Sequence, residues 1–147
     1  MRQRLCKDSC GLTLLELALA MAIFAIALGA TAQCLISYYC QLDLQERRST
    51  AMEHCRSILN AVREVRDGAK GDFVNGVTAW VQDQEQGEGA YGALVTLMPN
   101  EAITTVCSDA ATGGAPADPL LVQVTSAFND MRGRPMTVRL ATILTRS

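Results

Sequence analysis

Residues 11–40 read GLTLLELALAMAIFAIALGATAQCLISYYC, and the fold turns on how this stretch is read. From Leu17 to Cys40 no side chain is charged, although the 147-residue chain carries 13 basic and 15 acidic residues. As a helix rising about 1.5 Å per residue, that run extends about 36 Å, enough to cross a hydrocarbon core of about 30 Å. Upstream, MRQRLCKDSC sets Arg2, Arg4 and Lys7 against Asp8. Positive charge resists translocation, so this end is expected to stay in the cytoplasm while the rest crosses. The total length leaves room for one further domain. A formal net charge of −2 and a single histidine, His54, argue against a bulk nucleic-acid binder and against a His-rich metal site.

Two readings compete for the apolar run. Leu17–Leu28 suits a signal-peptide core, and Ala30-Thr31-Ala32 is an A-x-A cleavage sequence. The alternative is therefore a secreted or membrane-anchored binding domain with an ordinary signal peptide cut near Ala32. Against it stand Glu16, at the head of the run, and helix-forming sequence that continues past Ala32 without a turn signal. An acid in the bilayer costs about 2.5–3.5 kcal/mol on insertion scales, which makes an intramembrane acid a functional residue by default.

The segment Gly11-Leu12-Thr13-Leu14-Leu15-Glu16, after a short basic leader and before LALAMAIFAIALGA, resembles the type III signal of type IV pilins and pseudopilins. The resemblance implies that a prepilin peptidase cuts between Gly11 and Leu12 and methylates the new amino terminus. It also implies that Glu16, the fifth mature residue, meets the amino terminus of a neighbouring subunit during assembly. Such a pairing is physically sound because each charge offsets the desolvation of the other. Leu12 stands where the family usually has Phe or Met, and Gly29 and Gln33 occupy the region of a family proline.

Beyond the membrane run, Gln41–Asp67 contains no Pro or Gly, and Leu44, Ala51, Met52, Cys55, Ile58, Leu59, Val62 and Val65 recur at steps that place them on one helix face. Gly68 supplies the stop, with Arg63 and Arg66 in the last turn. The remaining residues read as short β runs at Phe73–Val81, Ala90–Met98, Ile103–Cys107, Leu120–Phe128 and Met136–Thr145, with Gln82–Gly89 an acidic turn and 110–119 a loop. Asp130-Met131-Arg132-Gly133-Arg134 joins the last two as a hairpin. The expected architecture is α+β and pilin-like, one long N-terminal helix packed by a small antiparallel sheet. Its parts are a cytoplasmic leader (1–11), a transmembrane and filament-core half of the helix (12–40), a periplasmic amphipathic half (41–67) and an antiparallel β domain (68–147).

The terminal hairpin with its D-x-x-G-type turn, and AIFAIA at 22–27, resemble minor pseudopilins of type II secretion and the related minor type IVa pilins. That resemblance implies a structural subunit, not an enzyme, in a bacterial inner membrane. Its partners would be other pilins or pseudopilins, prepilin peptidase and secreted cargo.

Other candidate sites carry weaker signals. Cys6 and Cys10 leave with the leader, and Cys34 and Cys40 serve as small apolar residues. Cys55, on the apolar stripe, and Cys107, at a strand end, either form a disulfide or remain two buried thiols. Asp83, Glu85 and Glu88 form an acidic loop without dense ligand spacing, so no metal and no cofactor is expected. Arg132, Arg134, Arg139 and Arg146 read as an exposed strand face, and a nucleic-acid partner is not expected. His54 lies one position off the apolar stripe, and no Ser–His–acid set is visible.

Overall fold

The structure, a computed structural model, describes residues 13–69, 71–86, 91–92 and 94–146. The leader and Leu12 lie outside the described residues. The chain divides into two compact units, Met1–Cys40 and Gln41–Ser147. Its elements are α1 (Leu14–Gly68), α2 (Phe73–Gln86), β1 (Ala102–Asp109), β2 (Leu120–Asn129) and β3 (Pro135–Leu144). This is the α+β, pilin-like plan of a long N-terminal helix followed by a small antiparallel sheet.

In the first unit, α1 passes through Ala30, Thr31 and Ala32 without a break, and Thr31 Oγ donates to the Leu28 carbonyl. Residues 13–39 are all exposed, among them Leu14, Phe24, Ile26 and Ile36. Among the described residues, α1 is the one helix long and apolar enough to cross a membrane.

In the second unit the apolar stripe of α1 turns inward in its middle, with Leu44 and Val65 half-buried and Met52, expected on the same face, exposed. Ala51, Cys55, Ile58, Leu59 and Val62 are buried. Cys55, Ile58, Leu59 and Val62 pack with the inward face of the sheet, whose order is β1-β2-β3 with both pairs antiparallel. Strand β2 is central, and Leu120, Val122, Val124, Ser126 and Phe128 alternate inward along it. Fully burying one such aliphatic side chain contributes about 1.5–3 kcal/mol, so this face supplies much of the unit's stability. At the β2–β3 turn, Gly133 adopts φ 73°, and its N–H donates to the Asp130 carbonyl at 2.9 Å. The Asp130 carboxylate accepts from the Arg132 and Arg134 N–H groups, each at 2.8 Å. These bonds hold its pKa below the ordinary carboxylate value.

Two of the five expected β runs are not strands. Phe73–Val81 is the body of α2, and Gln82–Gln86 is its last turn, so region 68–147 holds a helix beside its antiparallel sheet. The β-branched residues and Gly76 suggest a strand, but Phe73, Val77 and Val81 are buried at steps of four, a helical period. Gly71 at φ 111° and then Asp72 form the start signal, and the Asp72 carbonyl accepts the first helical bond from Gly76 N–H at 3.1 Å. Within Ala90–Met98, Tyr91 adopts φ 59° and its carbonyl accepts from Leu94 and Val95, which turns the chain where a strand was expected. The Tyr91 ring is buried, and its hydroxyl donates to Thr105 Oγ at 2.6 Å.

Candidate functional site

The head of α1 is closed by a reciprocal arrangement of two side chains. Glu16 N–H donates to Thr13 Oγ at 3.2 Å, while Thr13 N–H and Thr13 Oγ each donate to Glu16 Oε2 at 3.4 Å. This is the Thr-x-x-Glu capping box, in which two otherwise orphaned backbone donors of the first turn find acceptors. The carboxylate also gains from the positive end of the helix dipole. Both residues are exposed, and among the described residues Glu16 has no cationic partner. An acid therefore stands at the start of a helical stretch in which every side chain to Tyr39 is solvent-accessible and most are apolar.

Residues 6–32 match a family model described as the prokaryotic N-terminal methylation motif. The chain carries a prepilin-type signal. Neither the comparison with curated proteins nor the comparison with solved structures gives a match. The signal with its apolar helix points to single-pass membrane anchoring. Of the residues expected to act in processing, Gly11 and Leu12 lie outside the described residues, whereas Glu16 is placed at the capping box just downstream.

The second unit holds a polar cluster inside its core. The Glu101 carboxylate, whose side chain is fully buried, accepts from Met98 N–H at 2.9 Å and from Ser126 Oγ at 2.6 Å. It also accepts from His54 Nδ1, at 3.0 Å to Oε2 and 3.2 Å to Oε1. The contact suits the His54 tautomer with its proton on Nδ1, which gives the carboxylate a third donor. Glu101 is placed by a turn in which its own N–H donates to the Met98 carbonyl at 3.0 Å, with Pro99 second and Asn100 third at φ 62°. That geometry suits a type II turn.

The sequence shows no Ser–His–acid set and puts His54 one position off the apolar stripe; the structure buries His54 and brings it and Ser126 to one carboxylate. The chemistry is nonetheless not that of a triad. A nucleophilic serine needs the imidazole between itself and the acid. Here the acid is central, and Ser126 and His54 both donate to it. Ser126 is fully buried beneath the sheet, so the cluster ties α1, the turn before β1 and the middle strand together.

The cysteines of the second unit are separate. Cys55 and Cys107 are both free thiols, the second of the two states their positions left open. Cys55 lies against Ser126 and Glu101, whereas Cys107 is in register with Val122. Ser126 and Val122 are four residues apart on β2, about 13 Å along the strand, whereas bridged Cα atoms lie within about 7 Å. Burial, with the Glu101 charge second, pushes the Cys55 thiol up, and burial with the Glu85 charge pushes Cys107 up to about 11. Both sulfurs are therefore protonated and poorly nucleophilic near neutrality.

The acidic loop is also differently used. Glu85, on α2, accepts from the β1 backbone at Thr105 N–H, 2.8 Å away, and Glu88 lies outside the described residues. No group of three or more His, Cys, Asp or Glu side chains converges to hold a metal among the described residues.

Proposed function

We propose that this chain is a minor pseudopilin or minor pilin, a structural subunit of a type II secretion pseudopilus or a type IV pilus. It is inserted with its N-terminus in the cytoplasm and its C-terminal unit in the periplasm. A prepilin peptidase cuts between Gly11 and Leu12, and the methylated subunit enters the filament through the apolar part of α1. The observation that carries the reading is Glu16 within a prepilin-type signal, heading a helix that buries nothing from Leu14 to Tyr39 in the single chain. Such a surface needs lipid before assembly and the matching helices of other pilins or pseudopilins afterwards. Glu16 sets the register by meeting a neighbour's amino terminus, so that two charges costly to desolvate singly are desolvated together. The terminal hairpin and the AIFAIA segment support the minor class, with secreted cargo as a further partner of the sheet.

The mature N-terminus tests this. Mass spectrometry of protein from its native host is expected to give a methylated Leu12. A start at Gln33, or an intact Met1 in cells with active prepilin peptidase, overturns it. Glu16→Ala is expected to leave membrane insertion unchanged while depleting the subunit from sheared filaments, and normal incorporation removes the role given to that carboxylate.

A further inference from the structure

We infer that the free edge of β3, with the arginine-lined flank of α1 beside it, is a docking groove for an extended acidic segment of a partner protein, added as a fourth strand. The inference rests on the second unit alone and stands or falls independently of the filament reading.

The two edges of the sheet differ. The β1 edge is partly occupied, because Thr105 N–H donates to Glu85 of α2. Along β3 there is no such cover, since among the described residues no backbone hydrogen bond outside the sheet involves residues 135–144. In an antiparallel edge strand, alternate residues direct N–H and C=O groups outward, and an incoming extended segment satisfies them.

Beside that edge lies a groove of about 350 Å³ lined by Arg56, Leu59, Asn60, Arg63, Leu140 and Ala141. None of these is acidic, and residues 131–147 contain four arginines and no acid. Neither Arg56 nor Arg63 has a carboxylate partner among the described residues; Arg63 makes only long bonds, at 3.4 Å, to Asn60 and to Thr142 of β3. Two cations on one helix face, about 10.5 Å apart along the axis, thus flank an apolar floor of Leu59 and Leu140. Same-face side chains on a strand repeat at about 6.7 Å, so acids at alternate positions reach both guanidinium groups with their methylenes on the leucines.

Charge complementarity selects an acidic occupant, and the chain's own acids argue against a second copy. In its strands and turns Glu101, Asp109 and Asp130 are each held by hydrogen bonds within their own molecule, and Asp118, between Ala117 and the cis-linked Pro119, has no acid at an alternate position to reach the second arginine. Glu46, Glu53 and Glu64 lie on α1 and are not available as an extended segment.

The probe is a labelled heptapeptide, blocked at both ends, with glutamate at every second position and valine or threonine between. It is titrated onto the full chain in non-ionic micelles and followed by fluorescence anisotropy and amide hydrogen exchange. The expected result is saturable binding that slows exchange along β3 and not β1. Binding should weaken about tenfold between about 0.05 and 0.5 M NaCl, and about tenfold in R56E/R63E. Both arginines are exposed, and R56A/R63A, which removes attraction without adding repulsion, is expected to lose about threefold. Equal binding of the same peptide with lysine for glutamate overturns the inference, as does unchanged binding in both variants or protection of β1 instead. Protection of β3 that rises with protein concentration without peptide also overturns it, because a second copy is then the occupant.

Discussion

Replacing Glu101 by alanine removes one acceptor shared by three donors from three parts of the second unit. Met98 N–H, Ser126 Oγ and His54 Nδ1 lie 2.6 to 3.0 Å from its nearest oxygens, and the side chain they surround has no solvent exposure. A buried donor left without a partner costs about 1–3 kcal/mol. Ser126, fully buried, bears the full penalty, whereas His54, with a side chain 11% exposed, recovers part of it from water. The expected loss is about 3–5 kcal/mol, the sum over these donors and a large share of a small domain's stability.

Glutamine at the same position separates this account from simple cavity formation. Its oxygen still faces Met98 and His54, and its amide donates to Ser126, whose hydroxyl rotates to accept. The cost then falls to about 1–2 kcal/mol, the loss of charge assistance in the remaining bonds. Urea unfolding of the full chain in micelles, followed by the single Trp80, reads both variants. If Glu101→Ala costs less than about 1 kcal/mol, or Glu101→Gln costs as much as alanine, the cluster does not hold the unit together as described. The triple change H54L/E101L/S126A is expected to recover part of the alanine variant's loss, since it removes the His54 and Ser126 donors and leaves only Met98 N–H without its acceptor.

Three further outcomes follow from other sites. Cys55 and Cys107 are expected to stay reduced in the folded protein. With its thiol near pKa 11 instead of 9.0, Cys107 should alkylate at pH 8 about a hundredfold more slowly than after unfolding, and native alkylation at the unfolded rate contradicts its burial. Asp109, held low by the Thr112 hydroxyl and the Ala111 N–H, and Asp130, held low by Arg134, should contribute stability at neutral pH. That contribution is lost as pH falls below the ordinary value of 3.8 through the lowered ones, so an acid unfolding limb unchanged in D109N/D130N counts against it. Gly133→Ala forces a Cβ into φ 73° and should cost about 1 kcal/mol in the same urea assay, with no change at the neighbouring Met131→Ala.

What was legible in the sequence depended on whether one local pattern was decisive. The alternation from Leu120 to Phe128 and the Asp130–Arg134 turn admit one solution, and β2, β3 and their connection form there. Phe73–Val81 satisfied two patterns at once. Its composition favours a strand, while its period of four favours a helix, and packing of Phe73, Val77 and Val81 into the core decided for the helix. The polar cluster had a faint signal. Ser126 occupies an inward position in an otherwise apolar alternation, and His54 is three residues from Ala51 and four from Ile58, on the buried side of α1. Glu101, after Pro99 and Asn100, reads as a solvated turn residue. Only the tertiary structure brings it under the sheet, where a carboxylate persists when fully partnered.

The two acids that matter most stand in opposite conditions, and the contrast explains why one unit is finished and the other is not. Glu101 is desolvated with short bonds from three donors, so any additional partner has nothing left to satisfy. Glu16 is exposed, and its contacts with Thr13 are 3.4 Å long, well beyond the 2.7–2.9 Å of charge-assisted bonds. Those contacts close the first turn of α1 yet leave the carboxylate's strongest interactions unused. A cation arriving at Glu16 therefore displaces water and a weak cap, losing little, and gains a full charge pair in a medium of low dielectric. Under the filament reading, an amino terminus freed at Leu12 on a neighbouring subunit is such a cation. Glu16→Gln, which keeps the cap but not the charge, should leave helix content unchanged and still fail to assemble. Assembly of Glu16→Gln at the wild-type level would reduce Glu16 to a helix cap.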